Sequence, residues 1–189
     1  MPASQNPIHF SVICYASKSD AAIAESLASI QNQTVGFQRI QLILTGARLS
    51  ETEQAVYTQY QQAHPNQVLL LSEPYETAAQ AFNAALPKAV GGFVYFMETT
   101  DCISKTLFAK CLEAGRGTRS NLFLFPAVLK KPGSPLAQLH TLCRQYPKTE
   151  GLVDLDFDYH QIPVGVKNVI FPRQFLTGAV FQESLRYYS

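Results

Sequence analysis

Two acidic residues, Glu98 and Asp101, directly follow an apolar run and bracket a pair of threonines. Carboxylate oxygens are ligands that Mg²⁺ and Mn²⁺ prefer, so this acidic pair could hold a divalent metal or lie beside a diphosphate. Asp101 also suits the N-cap of a helix that we predict to begin near Ser104. A metal or diphosphate contact and a helix cap are therefore two competing interpretations of this segment.

Other polar residues are less informative. Asp154, Asp156 and Asp158 alternate along a predicted strand, and acids at every second position are more typical of a solvated strand face than of a metal cluster. The four histidines share no metal-ligand spacing. Arg48 could neutralise a phosphate, because guanidinium pairs with phosphate through two hydrogen bonds, or it could be a solvated loop residue. The sequence leaves both roles of Arg48 open.

The cysteines do not indicate a zinc site. Cys14, Cys102, Cys111 and Cys143 lack C-x-x-C spacing, and His140 with Cys143 is two ligands short of a structural zinc site. A chain of 189 residues can bury a core without disulfides. We therefore predict four reduced thiols and a cytoplasmic protein.

Composition argues against two classes of function. Lys and Arg total 15, Asp and Glu total 14, and no basic cluster exceeds two consecutive residues, so we expect no nucleic-acid partner. The apolar runs are short, such as residues 68–71, whereas a membrane span needs about 20 apolar residues. Residues 1–9 show no signal-peptide pattern. We therefore expect one folded domain over residues 1–189, with no membrane span.

Apolar runs and helical patterns alternate through the first 125 residues, and this alternation positions the acidic pair. We predict strands over residues 8–14, 40–45, 67–71, 93–97 and 121–128. Helices between them are indicated by a capping box at Ser50 and Glu53, by Pro74 in a first turn, and by apolar stripes. The stripes are Ile23, Leu27 and Ile30, and then Ala78, Ala81, Phe82 and Ala85. The pattern predicts an α/β fold with a mostly parallel central sheet and helices on both faces.

In such a sheet, ligands bind at the carboxyl ends of the strands. This rule directs attention to four predicted loops, residues 15–18, 45–49, 72–76 and 98–104. The acidic pair lies in the last of them. We therefore expect a ligand site at this edge of the sheet.

The last third of the chain changes character after a turn-rich break at residues 130–133. Ser134 and Pro135 open a predicted helix with a leucine stripe at Leu136, Leu139 and Leu142. Residues 152–159 and 177–181 are predicted strands, and residues 183–188 are a predicted final helix.

Several blocks of the sequence, taken in order, resemble one protein family. Residues 10–14 are followed by a helix that ends in the block Ser-Ile-Gln-Asn-Gln-Thr, residues 29–34. The further blocks are residues 40–44, 78–86, 93–101 and 176–182. Their order and spacing resemble those of family 2 glycosyltransferases. The block at residues 29–34 is the most specific of them.

The resemblance implies a Rossmann-like GT-A fold that binds a nucleotide-sugar and a divalent metal, Mn²⁺ or Mg²⁺. In this family an Asp-x-Asp motif holds the metal, which neutralises the diphosphate leaving group. An Asp at the end of the second strand grips the nucleobase, and a later acid deprotonates the acceptor hydroxyl. The resemblance divides the chain into a nucleotide-binding half, residues 1–128, and an acceptor-side half, residues 129–189.

This sequence departs from the family pattern at each of these points. Residues 45–48, Thr-Gly-Ala-Arg, stand in place of the paired Asp. Residues 98–101, Glu-Thr-Thr-Asp, stand in place of Asp-x-Asp-Asp, and no residue up to Ser189 matches the family's base. The positions that the resemblance assigns to the nucleotide are Tyr15, Ala16, Ser17, Gly46, Ala47, Glu98 and Thr100. Glu98 and Asp101 remain for a metal, and we expect weak Mn²⁺ binding or none, because Thr100 replaces a carboxylate.

Three functions are compatible with these residues. The first is an inverting glycosyltransferase that moves a sugar from a nucleotide-sugar to a hydroxyl acceptor. The second is a non-catalytic GT-A domain that scaffolds a partner domain or subunit, and the changed motifs favour it. The third, another Rossmann-like nucleotide-binding domain, ranks last because neither G-x-G-x-x-G nor G-x-x-x-x-G-K-[ST] occurs.

The aromatic tail, residues 175–188, leads to an expectation about partners. It carries Phe181, Leu185, Tyr187 and Tyr188 close together. Contiguous exposed apolar surface usually marks an interface. If these side chains are exposed, the tail predicts association with a second copy of the chain or with a partner domain.

Overall fold

A computed structural model of the chain describes residues 7–16, 23–46, 49–116, 122–126, 128–130, 137–139 and 166–182. The strands are β1 Phe10–Ala16, β2 Ile40–Gly46, β3 Val68–Pro74, β4 Phe93–Glu98, β5 Phe123–Leu124, β6 Val128–Lys130, β7 Ala137–Leu139 and β8 Val169–Pro172. The α-helices are α1 Ile23–Gln31, α2 Glu51–Ala63, α3 Ala78–Ala85 and α4 Leu107–Ala114. Short 3₁₀ turns cover Phe37–Arg39, Leu86–Lys88, Val166–Asn168 and Arg173–Leu176.

The chain divides into two compact units. The first unit comprises residues 1–122 and 170–189, and the second comprises residues 123–169. Within the second unit, β6 and β7 form an antiparallel pair. The Phe125 N–H donates to the Asn168 carbonyl oxygen at 3.1 Å in the same unit. The functional halves that the sequence suggests remain a prediction.

The first unit is built on a sheet in which β1 lies between β2 and β4, with β3 beyond β2 and β8 beyond β4. Strands β1 to β4 are parallel to one another, and β8 runs antiparallel to β4. All seven residues of β1 are buried, as expected for a central strand that is covered on both faces. The predicted α/β fold with a mostly parallel sheet is confirmed.

Helices cover both faces of this sheet. Phe108 of α4 stacks on Phe10 of β1 with 4.3 Å between ring centroids. Phe82 of α3 lies 4.9 Å from Phe96 of β4. Phe10 is the register partner of Phe93, so Phe96, three residues further along β4, points to the opposite face. The prediction of helices on both faces is therefore confirmed.

Local sequence signals set the starts of two helices. The Ser50 hydroxyl accepts from the Glu53 N–H at 3.2 Å, and the Glu53 carboxylate accepts from the Ser50 N–H at 2.9 Å, so α2 begins with the predicted capping box. Thr77 caps α3 by accepting from the Gln80 N–H at 3.2 Å. The predicted apolar stripes are buried at Ile23, Leu27, Ile30, Ala81, Phe82 and Ala85.

Two predicted helices differ in the structure. Pro74 ends β3 instead of opening a helix, and α3 begins four residues later, after the Thr77 cap. Proline is tolerated there because β3 lies at the edge of the sheet. Residues 137–139 form β7 rather than part of a leucine-striped helix, since pairing with β6 overrides a short apolar period.

The predicted strands near the carboxyl end of the chain also differ. Residues 177–181 form no strand. Strand β8 was not predicted, because its four residues are too few to show a periodicity. Of the predicted strand 121–128, β5 covers two residues and β6 begins at its last residue. The predicted strand 152–159 and helix 183–188 lie outside the described residues.

Ser11 ties the amino-terminal part of β1 to the turn before β4. Its buried hydroxyl donates to Gln41 Oε1 at 2.6 Å and accepts from the N–H groups of Gly91 and Val90 at 2.8 and 3.1 Å. A Cβ at position 91 would lie 2.5 Å from the Ser11 nitrogen and 2.6 Å from the Phe10 carbonyl carbon. The turn therefore requires glycine at this position because the two backbones approach closely.

Cys14, Cys102 and Cys111 form no disulfide within the described residues, in agreement with the predicted reduced state, and Cys143 lies outside those residues. Burial raises the pKa of the Cys14 thiol and raises that of Cys111 to about 12. Both buried thiols are therefore protonated and unreactive at neutral pH. In the described ranges, no helix is long and apolar enough to cross a bilayer.

Candidate functional site

The ends of β1, β2 and β4 bring four of the predicted site residues together. In the register of the sheet, Tyr15 lies beside Glu98, and Ala16 lies beside Gly46. The Thr99 N–H donates to the Tyr15 carbonyl oxygen at 3.0 Å and so continues the pairing just past the end of β4. Because these three strands are parallel, the residues lie at the same carboxyl edge of the sheet.

Gly46 allows the ends of β1 and β2 to approach each other closely. A Cβ at this position would lie 2.8 Å from the Ala16 Cβ and 3.0 Å from the Leu49 Cδ2. The Gly46 carbonyl oxygen accepts from the Tyr75 N–H at 2.9 Å, which ties the chain after β3 to the same edge. Close packing therefore requires small residues at positions 16 and 46, in addition to the nucleotide-binding role that the resemblance implies.

Tyr15 lies between the sheet and α3. Its ring centroid is 6.4 Å from that of Phe82, and its hydroxyl is 3.5 Å from the Tyr75 carbonyl oxygen, a long hydrogen bond. Burial and the nearby Glu98 carboxylate raise the pKa of the Tyr15 phenol. The phenol is therefore neutral at physiological pH, and its one proton is directed at the Tyr75 carbonyl oxygen.

The Asp101 side chain folds back onto the end of β4. Its carboxylate accepts from the Glu98 N–H at 3.1 Å, and the Asp101 N–H donates to the Glu98 carbonyl oxygen at 2.9 Å. The side chain therefore closes the turn over residues 98–101. The interpretation of Asp101 as a helix cap is wrong, because α4 begins only at Leu107 with Thr106 at its N-cap.

The described part of this edge does not fit a dedicated divalent-metal site. A hard cation needs about six oxygen ligands, and this turn offers the carboxylates of Glu98 and Asp101. The Asp101 carboxylate already accepts a backbone hydrogen bond. Within the described ranges, no three His, Cys, Asp or Glu side chains are grouped so that they could hold a metal ion. Thr100, which replaces the family's carboxylate, is exposed.

Two buried threonine hydroxyls lie at the same edge. Thr45, the register partner of Tyr15, and Thr99 are both 0% exposed, and neither hydroxyl has a hydrogen-bond partner within the described structure. Buried polar groups are rarely left unpaired, so each exception needs an explanation. Sequence reasoning missed these two residues because threonine near a strand end is also an ordinary β-forming residue.

The specific block at residues 29–34 fixes the chain that follows the acidic pair. The buried Gln33 donates through Nε2 to the carbonyl oxygens of Ser104 and Ser29 at 2.8 and 3.0 Å. Its Oε1 accepts from the Phe108 N–H at 3.3 Å. The Ser29 hydroxyl accepts from the Ile103 N–H at 3.2 Å. The end of α1 therefore anchors both the loop after β4 and the first turn of α4.

A groove of about 730 Å³ opens between α2 and the carboxyl end of β3. It shares Gly46 with the predicted site, but Tyr15 and Glu98 do not line it. Ser17, Ala47 and Arg48 lie outside the described residues. The predicted cleft that these residues would line together remains a prediction.

Part of the aromatic tail packs within its own unit. Phe181 is half-buried, with ring centroids 5.5 Å from Phe82 and 5.0 Å from Phe96, so its ring packs partly within its own unit. Phe175 and Val180 are 60% and 75% exposed. Leu185, Tyr187 and Tyr188 lie outside the described residues. The association of this tail with a partner remains a prediction.

No family model matches the chain. The chain is similar to the minor teichoic acid biosynthesis protein GgaB of Bacillus subtilis (strain 168), with 25% identity over 171 residues. The match covers 79% of this chain and 19% of GgaB, so the chain spans about a fifth of the length of that relative.

Solved structures resemble the chain over nearly its whole length. The crystal structure of S. aureus TarS 1–349 has a TM-score of 0.74 at 20% identity, covering 94% of this chain and 51% of that one. The mannosyltransferase PcManGT from Pyrobaculum calidifontis, in complex with GDP-Man and Mn²⁺, has a TM-score of 0.62 at 14% identity, covering 95% and 49%.

The chain has the GT-A fold. The fold that the resemblance implied is thereby confirmed, and the GT-A chain spans about half the length of these two solved chains. A further TarS 1–349 structure, in complex with UDP-GlcNAc, matches at a TM-score of 0.72 and 19% identity over 90% of this chain and 47% of that one. At these identities the likeness establishes the fold alone.

Proposed function

We propose that this GT-A chain is a glycosyltransferase domain of the family 2 type. It binds a nucleotide-sugar at the carboxyl ends of β1, β2 and β4 and transfers the sugar to a hydroxyl acceptor with inversion. The observation that carries the proposal is the strand register, which sets Tyr15 beside Glu98 and Ala16 beside Gly46 at one edge. UDP-GlcNAc bound to TarS and GDP-Man bound to PcManGT support a nucleotide-sugar as the class of ligand.

Each part of the edge has a proposed role. Tyr15 and Ala16, with Ser17, Gly46 and Ala47 of the neighbouring loops, contact the nucleoside. Glu98 and Thr100 lie toward the diphosphate. The Tyr15 hydroxyl donates to the Tyr75 carbonyl oxygen at 3.5 Å, and its oxygen can accept a hydrogen bond from the ligand.

Two observations favour a second candidate function, a non-catalytic GT-A scaffold for a partner domain or a second copy. The Asp101 carboxylate already accepts from the Glu98 N–H, and Thr100 offers a neutral hydroxyl where the family has a carboxylate. With fewer anionic ligands, a metal ion would bind more weakly, and so would the diphosphate whose charge it would neutralise. Such a domain would keep the fold while binding sugar nucleotides weakly.

Calorimetry with UDP-GlcNAc and GDP-Man, each with and without Mn²⁺, separates the two functions. We expect the native chain to bind UDP-GlcNAc weakly, with little gain from Mn²⁺. Micromolar binding that depends on Mn²⁺ would contradict the prediction of a weak metal site and would favour an active enzyme. A folded chain that binds neither compound would favour the scaffold.

Replacing Thr100 with aspartate should raise the affinity for Mn²⁺ by about tenfold, because the turn would then offer a third carboxylate. The Mn²⁺ affinity of Thr100→Asp and of the native chain can be compared by calorimetry. Thr52→Asp adds the same charge in the exposed first turn of α2 and should leave the affinity unchanged. Equal Mn²⁺ affinity in all three proteins would mean that Glu98, Asp101 and position 100 do not converge on one ion.

A further inference from the structure

Asn83 of α3 holds a stretch of chain that follows 98 positions later. Its Oδ1 accepts from the Phe181 N–H at 2.7 Å, and its Nδ2 donates to the Phe181 carbonyl oxygen at 3.0 Å. The side-chain amide therefore exchanges two hydrogen bonds with one residue, as a hydrogen-bonded pair in an antiparallel ladder does. Residues 177–182 form no helix or strand, so these two hydrogen bonds hold Phe181 in place of the backbone pairing that a strand would make.

The ring of Phe181 brings this anchor close to the candidate site. It contacts Phe82 and Phe96, and Phe82 in turn contacts Tyr15. Phe96 comes two residues before Glu98 in β4, so both side chains share one face of the sheet. The Phe181 ring, held by Asn83, therefore lies on the β4 side of the site, against Phe96, two residues before Glu98.

Between Phe181 and the 3₁₀ turn after β8, the chain presents an exposed segment, residues 177–180. The turn is fixed by the Arg173 N–H, which donates to the Gly92 carbonyl oxygen at 2.9 Å. Gly178 has a φ of 75°, and no atom lies within 4 Å of a Cβ built on it. The exposed segment is thus held on both sides and open to a ligand in between.

We infer that Asn83 is a positioning residue, which holds the exposed segment beside the sugar-bearing half of the ligand; this inference rests on the proposed function. The nucleoside contacts are assigned to the ends of β1 and β2, whereas Phe181 packs on β4, and β1 separates β2 from β4. A ligand that runs from β2 past Glu98 therefore reaches the exposed segment with its sugar. Asn83 acts through this segment and does not touch the ligand.

Calorimetry with UDP-GlcNAc and with UDP separates the two halves of the ligand. For Asn83→Ala, the Kd of UDP-GlcNAc should rise about tenfold, whereas the Kd of UDP should stay within about twofold of the native value. Asn83→Asp keeps the acceptor for the Phe181 N–H but loses the donor, so its Kd for UDP-GlcNAc should lie in between. Asn66→Ala, which alters an exposed asparagine between α2 and β3, should change neither Kd.

Hydrogen exchange at the Phe181 amide tests the anchor without any ligand. The amide should exchange about tenfold faster in Asn83→Ala than in the native chain or in Asn66→Ala. An equal loss of affinity for both ligands, or an unchanged Kd for UDP-GlcNAc, would overturn the inference. If the native chain binds neither ligand, the proposed function is overturned. The sugar-side role of Asn83 is then overturned as well, even if exchange at the Phe181 amide becomes faster in Asn83→Ala.

Discussion

Replacing Gly91 with alanine should lower the free energy of unfolding by about 3 kcal/mol or more, because the new methyl group would overlap the backbone of β1. The new Cβ would lie only 2.5 Å from the Ser11 nitrogen and 2.6 Å from the Phe10 carbonyl carbon. Neither atom can move without disturbing a buried central strand. The same shift would stretch the hydrogen bond from the Gly91 N–H to the Ser11 hydroxyl.

The neighbouring glycine provides a matched control. A Cβ at Gly92 would meet only the His9 carbonyl oxygen, at an ordinary 3.7 Å, and this glycine is exposed. Gly92→Ala should therefore change the free energy of unfolding by less than about 1 kcal/mol. Urea denaturation followed by circular dichroism measures both values. Equal stability of the two variants would show that the turn before β4 can move away from β1.

Replacing Gln33 with methionine should destabilise the fold by about 3 kcal/mol, because it removes three hydrogen bonds within a side chain of similar size. The Ser104 carbonyl and the Phe108 N–H would lose their Gln33 partner near the start of α4. Gln33→Glu keeps the acceptor for the Phe108 N–H but sets a buried carboxylate against the carbonyl oxygens of Ser29 and Ser104, so it should be at least as destabilising as Gln33→Met.

Urea denaturation of both Gln33 variants can be compared with that of Gln59→Met, which alters an exposed glutamine of α2. Gln59→Met should unfold at nearly the native urea concentration. Exchange at the Phe108 amide should also accelerate in Gln33→Met. If Gln33→Met were as stable as Gln59→Met, the block at residues 29–34 would not be what anchors the loop after β4.

Much of the first unit could be predicted from the sequence because its signals are local. The run from Phe10 to Cys14 is apolar except for Ser11, because β1 is buried on both faces of a parallel sheet. The stripe of Ile23, Leu27 and Ile30 faces the core at the helical period, and Ser50 with Glu53 forms the capping box. Each of these patterns depends on residues within a few positions of one another.

Features that depend on distant contacts could not be predicted in the same way. Asp101 was a plausible helix cap, but its carboxylate instead binds the Glu98 N–H, and Gln33 takes the bond from the Phe108 N–H. The short strand β8 is defined by its pairing in the sheet, where it runs antiparallel to β4. Asn83 and Phe181 both lie in blocks that carry the family resemblance, but their pairing leaves no local periodicity, because the two positions are far apart in the chain.

The first unit is discontinuous in sequence, since residues 123–169 are inserted before the chain returns to complete it. The entropy cost of closing a loop grows slowly with length, by about 0.6 kcal/mol for each doubling. Changing the length of this insert should therefore cost little free energy, so that β4 can still pair with β8 and Tyr15 can still meet Glu98 at the edge of the sheet.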